Sequence, residues 1–462
     1  MTVRESFRKY LEEAIGHENA LVAFSAFEQP ASVSVRMNPF KNGSLPEGRP
    51  VQWSRHGRIL EERPVFTLDP HFHAGAYYVQ DSSSMFVGYA FRKMLEGIRK
   101  PEGRPLRVLD LCAAPGGKTT DIAASLREAA GDGFLLVANE VMKARAGVLA
   151  DNAALWGDPN IVVTSDDPRA FAALPGFFDV IVADVPCSGE GMFRKDEQAQ
   201  AQWSEDNVAL CASRQRRIVA DVWPSLAPGG IFIYSTCTFN VYENDGNVRW
   251  ISEEFGAEPL MAEDLLGGMP GVLRTGLGYS LVPGFVEGEG QYCSALRKVS
   301  DEDVLLSAAL PARRAGRLET ARKQEIPGDL QSLFKVNMRF KSRSEMVIAV
   351  PENLWNDISL LEGSLHLLAS GCAAGMFKGK DFVPDADLAL SMAIAEDAYP
   401  VAEVDRDTAL AFLHRDAVKL PEAQKGFVLI RYEGVNLGFV KNIGNRCNNL
   451  HPQSRRIRMN IK

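Results

Sequence analysis

Two cysteines fifty positions apart each stand just beyond an apolar run: Cys187 in FDVIVADVPCSGEG and Cys237 in IFIYSTCTFN. A thiol is the side chain best suited to attack an electron-poor carbon and then leave again, because a few per cent is already thiolate near neutral pH. If the two runs are neighbouring strands, both thiols reach one pocket. Most lone cysteines serve only as small buried hydrophobes, and Cys211, Cys293, Cys372 and Cys447 are read that way. Asp184 precedes Cys187 by one turn of chain, at the end of the same apolar run.

A third stretch, DLCAAPGGKTT from Asp110 to Thr120, joins a buried strand to a helix through Cys112, Ala113, Ala114, Pro115, Gly116, Gly117 and Lys118. It resembles a triphosphate loop, but that loop needs a glycine five positions before its Gly-Lys-Thr ending, and Cys112 is there instead. No G-x-G-x-x-G dinucleotide fingerprint is present either. A sharp glycine turn still lets backbone amides approach a ligand at a helix N-terminus. Asp110 can accept from a ligand amine or arrange the turn. Glu140, ending the next strand FLLVANE, can accept from both hydroxyls of a ribose. Asp167, after the third strand NIVVTSDD, can accept from an adenine amino group. One carboxylate at a strand end is usually solvated or a helix cap; three behind one glycine turn point to an adenosine-bearing ligand without a triphosphate. S-adenosylmethionine meets that requirement. No metal-ligand spacing accompanies these residues.

The elements that must position these residues are legible from about 104 to 300. RVLDLCA, FLLVANE, NIVVTSDD, FDVIVADVP and GIFIYSTCT read as apolar strands, separated by helical stretches such as TTDIAASLREAA and KARAGVLADNAALWG. This alternation predicts an α/β fold with a largely parallel sheet and helices on both faces. Ligands of such sheets gather beyond the carboxyl ends of the strands, where Asp110, Glu140, Asp167, Asp184 and Cys237 all fall. Residues 1–103 mix helix with short strands. PARRAGRLETARKQEIPGD reads as an interdomain connection, placed at 301–326. The segment 327–462 ends strand-rich, with a hairpin expected around Gly434 and Gly438.

The chain has 462 residues, 46% hydrophobic and 24% charged, as ordinary globular domains do. Its length allows about three domains. Seven scattered cysteines with no C-x-x-C pair argue against a disulfide framework or structural zinc and favour a reducing cytoplasm. No apolar run is long enough for a membrane span. The net charge of −8 does not advertise nucleic-acid binding. Basic residues nevertheless cluster locally: Arg313 to Lys323, Lys335 to Arg343, and Lys441 to Lys462, the last with six cations and no acid. Such a stretch is either a solvated surface or a footprint for a phosphate backbone. Phe427, Tyr432 and Phe439 nearby are read as core of a small β domain in preference to base-stacking platforms.

Taken in order, DLCAAPGGKTT, ADVPCSGEGMFRKD and YSTCTFNVYEN resemble the RNA cytosine-5 methyltransferases that use S-adenosylmethionine. RMNP and YYVQDSSSM resemble that family's N-terminal segment, although Ser82 stands where relatives often carry proline. GMFKGKDFVPDADLAL and LGFVKNIGNRCNNLHP resemble the bacterial branch that methylates 16S ribosomal RNA of the small subunit. The resemblance implies a Rossmann-like catalytic domain over 104–300, an N-terminal RNA-binding region over 1–103, and a C-terminal RNA-binding region over 327–462 ending in a PUA-like module.

The resemblance also implies roles. Cys237 attacks carbon 6 of cytosine, which makes carbon 5 nucleophilic towards the methyl group. Cys187 serves product release, with Asp184 accepting from the cytosine amino group or orienting ring and cofactor. DNA cytosine methyltransferases attack with the Pro-Cys cysteine instead, so a chain carrying both motifs favours RNA. Lys118 is placed near the cytosine or packs by its stem, and Arg145 supports the cofactor site. The partner implied is RNA, 16S rRNA within the small subunit, with no membrane. Transfer RNA is the alternative substrate, and a non-catalytic assembly factor is the alternative class.

Overall fold

The computed structural model describes residues 5–43, 46–98, 101–260, 269–299, 330–379 and 381–461. The predicted connection 301–326 and the cations Arg313 to Lys323 lie outside them. Five parallel strands form the centre of the molecule, in the spatial order Leu226–Thr236, Phe178–Asp184, Leu106–Asp110, Phe134–Asn139, Ile161–Thr164. Each is apolar on both sides because both faces are covered. Val108, Val180, Val182, Ile231 and Ile233 pack on one face with Met85, Phe86 and Phe91 of helix Met85–Glu96. Their neighbours Leu109, Ile181, Phe232 and Tyr234 face the other way, against Ile218, Val219 and Val222 of helix Glu205–Val222. The order reverses at Leu106–Asp110, and a crevice at such a switch point is where ligands bind.

Antiparallel strands extend both edges. Gln291–Arg297 pairs with Leu226–Thr236 so that Tyr292 opposes Thr236. At the far edge, Leu367–Ser370 pairs with Ile161–Thr164. The C-terminal region therefore contributes a strand to the catalytic sheet, and the boundary expected near residue 300 separates chain segments without separating packed units.

The N-terminal region is equally integrated. Helices Glu5–Ile15 and His17–Phe27 insert Phe7 and Phe27 among Phe193, Trp203 and Phe239, which follow the two cysteine motifs in sequence. A four-stranded antiparallel sheet then carries Arg36 across the helix that follows the glycine turn. Arg36 is fully buried. Its Nη2 donates to the Gly117 carbonyl at 3.1 Å and to Thr120 Oγ1 at 2.5 Å, and its Nε to Gln80 Oε1 at 2.8 Å. The Trp156 ring covers the guanidinium at 4.8 Å. Removing a buried, hydrogen-bonded charge strands its partners, here Asp121 at 3.8 Å among them. Arg36→Ala is expected to lower the free energy of unfolding by about 3–5 kcal/mol, read from the urea midpoint; a loss below about 1 kcal/mol would show that the site relaxes around the change.

The chain ends in two four-stranded sheets. The second contains the expected hairpin, Gly426–Tyr432 with Val435–Asn442, turning through Glu433 and Gly434. Tyr432 and Phe439 are buried and Phe427 is half-buried under Lys441, so these aromatics belong mainly to the core of this module. Much of the basic sequence is spent on structure as well. Arg455 pairs with Asp151 and Asp387, Lys441 with Asp381 and Lys341 with Glu362, while Arg339 lies over Trp355. Lys335, Arg446 and Arg458 are exposed.

Candidate active site

Strand order explains how distant cysteines meet. Phe178–Asp184 and Leu226–Thr236 are parallel neighbours with Asp184 opposite Ser235. Three residues beyond Asp184 and two beyond Ser235, Cys187 Sγ and Cys237 Sγ lie 3.2 Å apart. Both are half-buried and free of disulfides.

Two buried carboxylates hold the loops that carry these thiols. Glu190 accepts from the backbone amides of Phe239 (2.7 Å) and Asn240 (3.1 Å), and from Trp203 Nε1 at 2.9 Å. Glu243 accepts from the Ser188 amide at 3.0 Å, Gln215 Nε2 at 2.7 Å and Asn240 Nδ2 at 2.8 Å. Each carboxylate comes from one cysteine motif and grips the other. Gly191 is required where the loops touch, because a Cβ there would stand 2.8 Å from the Cys237 carbonyl oxygen. Burial, opposed by the Ser188 and Asn240 hydrogen bonds, pushes the Glu243 carboxyl up to about 7.

Asp184 sits beneath the thiols with a quarter of its side chain exposed. Its Oδ2 accepts from Lys118 Nζ at 2.8 Å; its Oδ1 accepts from Ser235 Oγ at 2.8 Å and Gln291 Nε2 at 3.1 Å. Burial pulls the Lys118 ammonium's pKa down, but Asp184, with Cys237 and Asp110 adding to it, makes the net direction up. Lys118 is therefore a charged partner of Asp184 and not merely a packed stem. The Cys187 thiol is raised well above the usual range, first by its hydrogen bond with Cys237, then by burial and by the negative Glu243 and Asp184. The two thiols share one S–H···S hydrogen bond in which either sulfur can be the donor.

The glycine turn closes the other side. The Ala114–Pro115 peptide is cis, and Gly116 has φ of 112°, a conformation that favours glycine. A Cβ there would also press on Leu149 Cδ1 at 3.2 Å. The turn's outer carbonyls are tied down: Pro115 O accepts from Asn152 Nδ2 at 2.8 Å and Tyr78 Oη at 3.1 Å, and Ala114 O from Arg145 Nη2 at 2.9 Å. Arg145 also pairs with Glu140 at 3.2 Å, linking the turn to the second strand end. Cys112 and Ala113 follow the first strand, and Asn139 pins this region by donating to Leu111 O at 3.2 Å and Asp166 O at 3.0 Å.

Asp110 is wholly buried. Oδ2 accepts from Thr119 Oγ1 at 2.6 Å, while Oδ1 has no hydrogen-bond partner. Burial, with negative Asp184 and Glu140 adding to it, pushes this carboxyl up to about 7. Asp110, Glu140, Asp184 and Lys118 therefore share one electrostatic environment. An orphaned buried acceptor in a crevice fits a ligand ammonium, and Glu140 at the next strand end fits a diol. Val141 and Met142 just beyond it are exposed apolar side chains that a flat base could cover. Asp167 is less committed to a ligand: it is exposed, and one oxygen caps the turn Pro168–Ala173 by accepting from the Arg169 amide at 3.1 Å. The residues present fit an adenosine-bearing amino acid. Among the described residues, no cluster of His, Cys, Asp or Glu could hold a metal ion.

The sequence reading found the cysteines, Asp184 and the glycine turn, but assigned no role to Glu190, Glu243, Gln291 or Arg36. Glu190 and Glu243 stood inside the quoted motifs. Gln291 carried no signal at all.

Residues 100–297 match the family model described as 16S rRNA methyltransferase RsmB/F, residues 4–82 the N-terminal domain of 16S rRNA methyltransferase RsmF, and residues 399–457 the methyltransferase RsmF PUA domain. Ribosomal RNA small subunit methyltransferase F of Serratia proteamaculans is 32% identical over 87% of this chain and 84% of its own. The protein of that name from Pectobacterium atrosepticum is 30% identical over 93% and 90%. A methyltransferase homologue from Pyrococcus horikoshii covers 64% of this chain and 95% of its own at TM-score 0.53 and 25% identity. NSun6 from Pyrococcus horikoshii shares the fold over 64% of this chain and 99% of its own, at TM-score 0.52 and 19% identity.

Proposed function

The chain belongs to the 16S rRNA methyltransferase RsmB/F family and is an S-adenosylmethionine-dependent RNA cytosine-5 methyltransferase; from that premise we propose that it modifies 16S rRNA within the small ribosomal subunit, using Cys237 as nucleophile and Cys187 for release. The observation that carries the assignment is the pair of thiols 3.2 Å apart above the Lys118–Asp184 ion pair. S-adenosylmethionine supplies an electrophilic methyl group. Asp110 Oδ1 would receive its ammonium, Glu140 its ribose, and the turn from Cys112 to Gly117 its backbone contacts, with Asp167 in reach of adenine.

The protein's own steps follow from the geometry. Cys237 adds through sulfur to carbon 6 of the cytosine, placing electron density at carbon 5. Asp184 accepts from the exocyclic amino group, and Lys118 balances its charge. Once carbon 5 is methylated, Cys187, its own proton released to solvent, takes the carbon 5 proton as a thiolate, and the electron pair left behind returns to expel the Cys237 thiolate. The target base has to leave its stack to reach the thiols, which costs a few kcal/mol. The flanking regions 1–103 and 327–462, the latter ending in the PUA module, are assigned to gripping the surrounding RNA by shape and backbone. No helix among the described residues is long and apolar enough to cross a membrane.

Radiolabelled S-adenosylmethionine offered with undermethylated small subunits, free small-subunit RNA and transfer RNA tests the substrate. Label at carbon 5 of cytosine in small-subunit RNA is expected; label confined to transfer RNA would replace the substrate and keep the chemistry.

Asp110 makes cofactor affinity pH-dependent. Its folded-state pKa of about 7 is raised above the ordinary carboxyl value, so below pH 7 the free protein holds it protonated. A ligand ammonium requires the carboxylate, and binding must then expel that proton. Affinity for S-adenosylmethionine should rise roughly fivefold from pH 6 to pH 7 and level off above, measured by calorimetric titration. Asp110→Asn should bind weakly and lose the pH dependence; an unchanged slope would assign it to another group.

A further inference from the structure

We propose that Gln291 is a positioning residue for the reaction, which fixes the base-reading carboxylate of Asp184, through its Oδ1, and the backbone carrying Cys237 in one geometry. The inference rests on the reading of Asp184 and Cys237 given above.

Gln291 begins the antiparallel strand Gln291–Arg297 and is 1% exposed. Its Nε2 donates to Asp184 Oδ1 at 3.1 Å and to the Thr236 carbonyl at 2.7 Å. Both partners are acceptors, so the amide can be oriented only with its nitrogen towards them. The Thr236 carbonyl belongs to the peptide unit that leads into Cys237. One side-chain amide thus spans the carboxylate that faces the base and the backbone that aims the nucleophile.

Counting acceptor positions shows what this achieves. A carboxylate offers about four lone-pair positions, two on each oxygen. Ser235 Oγ and Gln291 Nε2 fill both on Oδ1, and Lys118 Nζ takes one on Oδ2. The remaining position is on Oδ2, and a quarter of the Asp184 side chain is open to receive a ligand there. The cytosine amino group is a donor and can use it. The corresponding oxygen of uracil is an acceptor and would be left facing another acceptor, the Asp184 oxygen. Without Gln291, Asp184 is free to turn, and its reading of the base and its distance from Cys237 are no longer set together. Gln291 belongs to none of the three motifs, and Gly290 before it approaches Phe239 so closely that a Cβ would lie 2.4 Å from the ring. The strand that delivers Gln291 is therefore seated against the loop that follows Cys237.

Two substitutions test this in the full-length enzyme with undermethylated small subunits. Gln291→Leu removes both hydrogen bonds and should lower kcat about 10- to 100-fold, leaving the affinity for S-adenosylhomocysteine within about twofold. Gln291→Glu keeps the size and sets a second carboxyl beside Asp184. Its lost activity should return as pH falls, because a protonated carboxyl again donates to Oδ1 whereas two carboxylates repel. A merely structural role gives no such pH profile. The inference is overturned if Gln291→Leu keeps kcat within twofold, or if Gln291→Glu loses activity by the same factor at every pH. Wild-type enzyme that transfers no methyl group to cytosine would instead overturn the reading of the site itself.

Discussion

Cys237→Ala should abolish methyl transfer to RNA while leaving S-adenosylmethionine binding and the fold in place. Removing a covalent nucleophile commonly costs four to six orders of magnitude in rate, roughly. The variant lacks the sulfur that has to bond to carbon 6, and the neighbouring Cys187 Sγ stands 3.2 Å from that position. The Cys237 side chain is half-buried and its sulfur is hydrogen-bonded to the Cys187 thiol. Truncation to alanine therefore removes little packing, about 1 kcal/mol or less. Asp110, Glu140 and the Cys112–Gly117 turn lie on other strand ends and do not depend on it. The check is label transfer from S-adenosylmethionine together with calorimetric binding of the same cofactor. Normal methylation by Cys237→Ala would overturn the nucleophile assignment.

Cys187→Ala should do the opposite of silencing the first step: a covalent protein–RNA species should accumulate. The physical reason is a change in what Cys187 feels as the reaction proceeds. In the resting site its acidity is suppressed first by the hydrogen bond to Cys237 and then by burial. When the Cys237 sulfur is bonded to carbon 6, it is a neutral thioether and the first of these influences is gone. Cys187 can then release its proton to solvent and accept the one on carbon 5. Without it, carbon 5 keeps its proton and the thioether has no electron pair to expel it. Under saturating RNA, most of the Cys187→Ala protein should run as a slowly migrating adduct on a denaturing gel, whereas wild type should show little. Free turnover of this variant with no adduct would remove Cys187 from the release step.

These residues show what a single sequence makes legible. The parallel strands were readable because each is a continuous apolar run ending in a polar residue, and Cys187 and Cys237 were marked by standing just past such ends. The glycine turn was readable because it nearly matches, and then fails, two known phosphate-binding patterns. Glu190 and Glu243 were not, because a buried carboxylate is identified by the donors around it, and Trp203, Gln215 and Asn240 come from separate elements. Arg36 and Gln291 were hidden for the same reason: each acts on a motif 55 or more positions away through a hydrogen bond to a carbonyl or to Asp184. The strand Leu367–Ser370 was beyond reach because edge pairing between distant segments leaves no periodic trace. The basic C-terminal sequence misled in part, since charge counts do not reveal that Arg455 and Lys441 are already paired with acids.

The most direct test of the chemistry is to ask which sulfur carries the base. Small-subunit RNA containing 5-fluorocytosine at the target traps the intermediate in wild-type enzyme, because fluorine cannot leave carbon 5 as a proton does. Trypsin separates the two candidates: Cys187 falls in the peptide 170–194 and Cys237 in the peptide 218–249. Mass spectrometry should find the methylated nucleotide on 218–249. Finding it on 170–194 would make Cys187 the nucleophile and contradict the assignment.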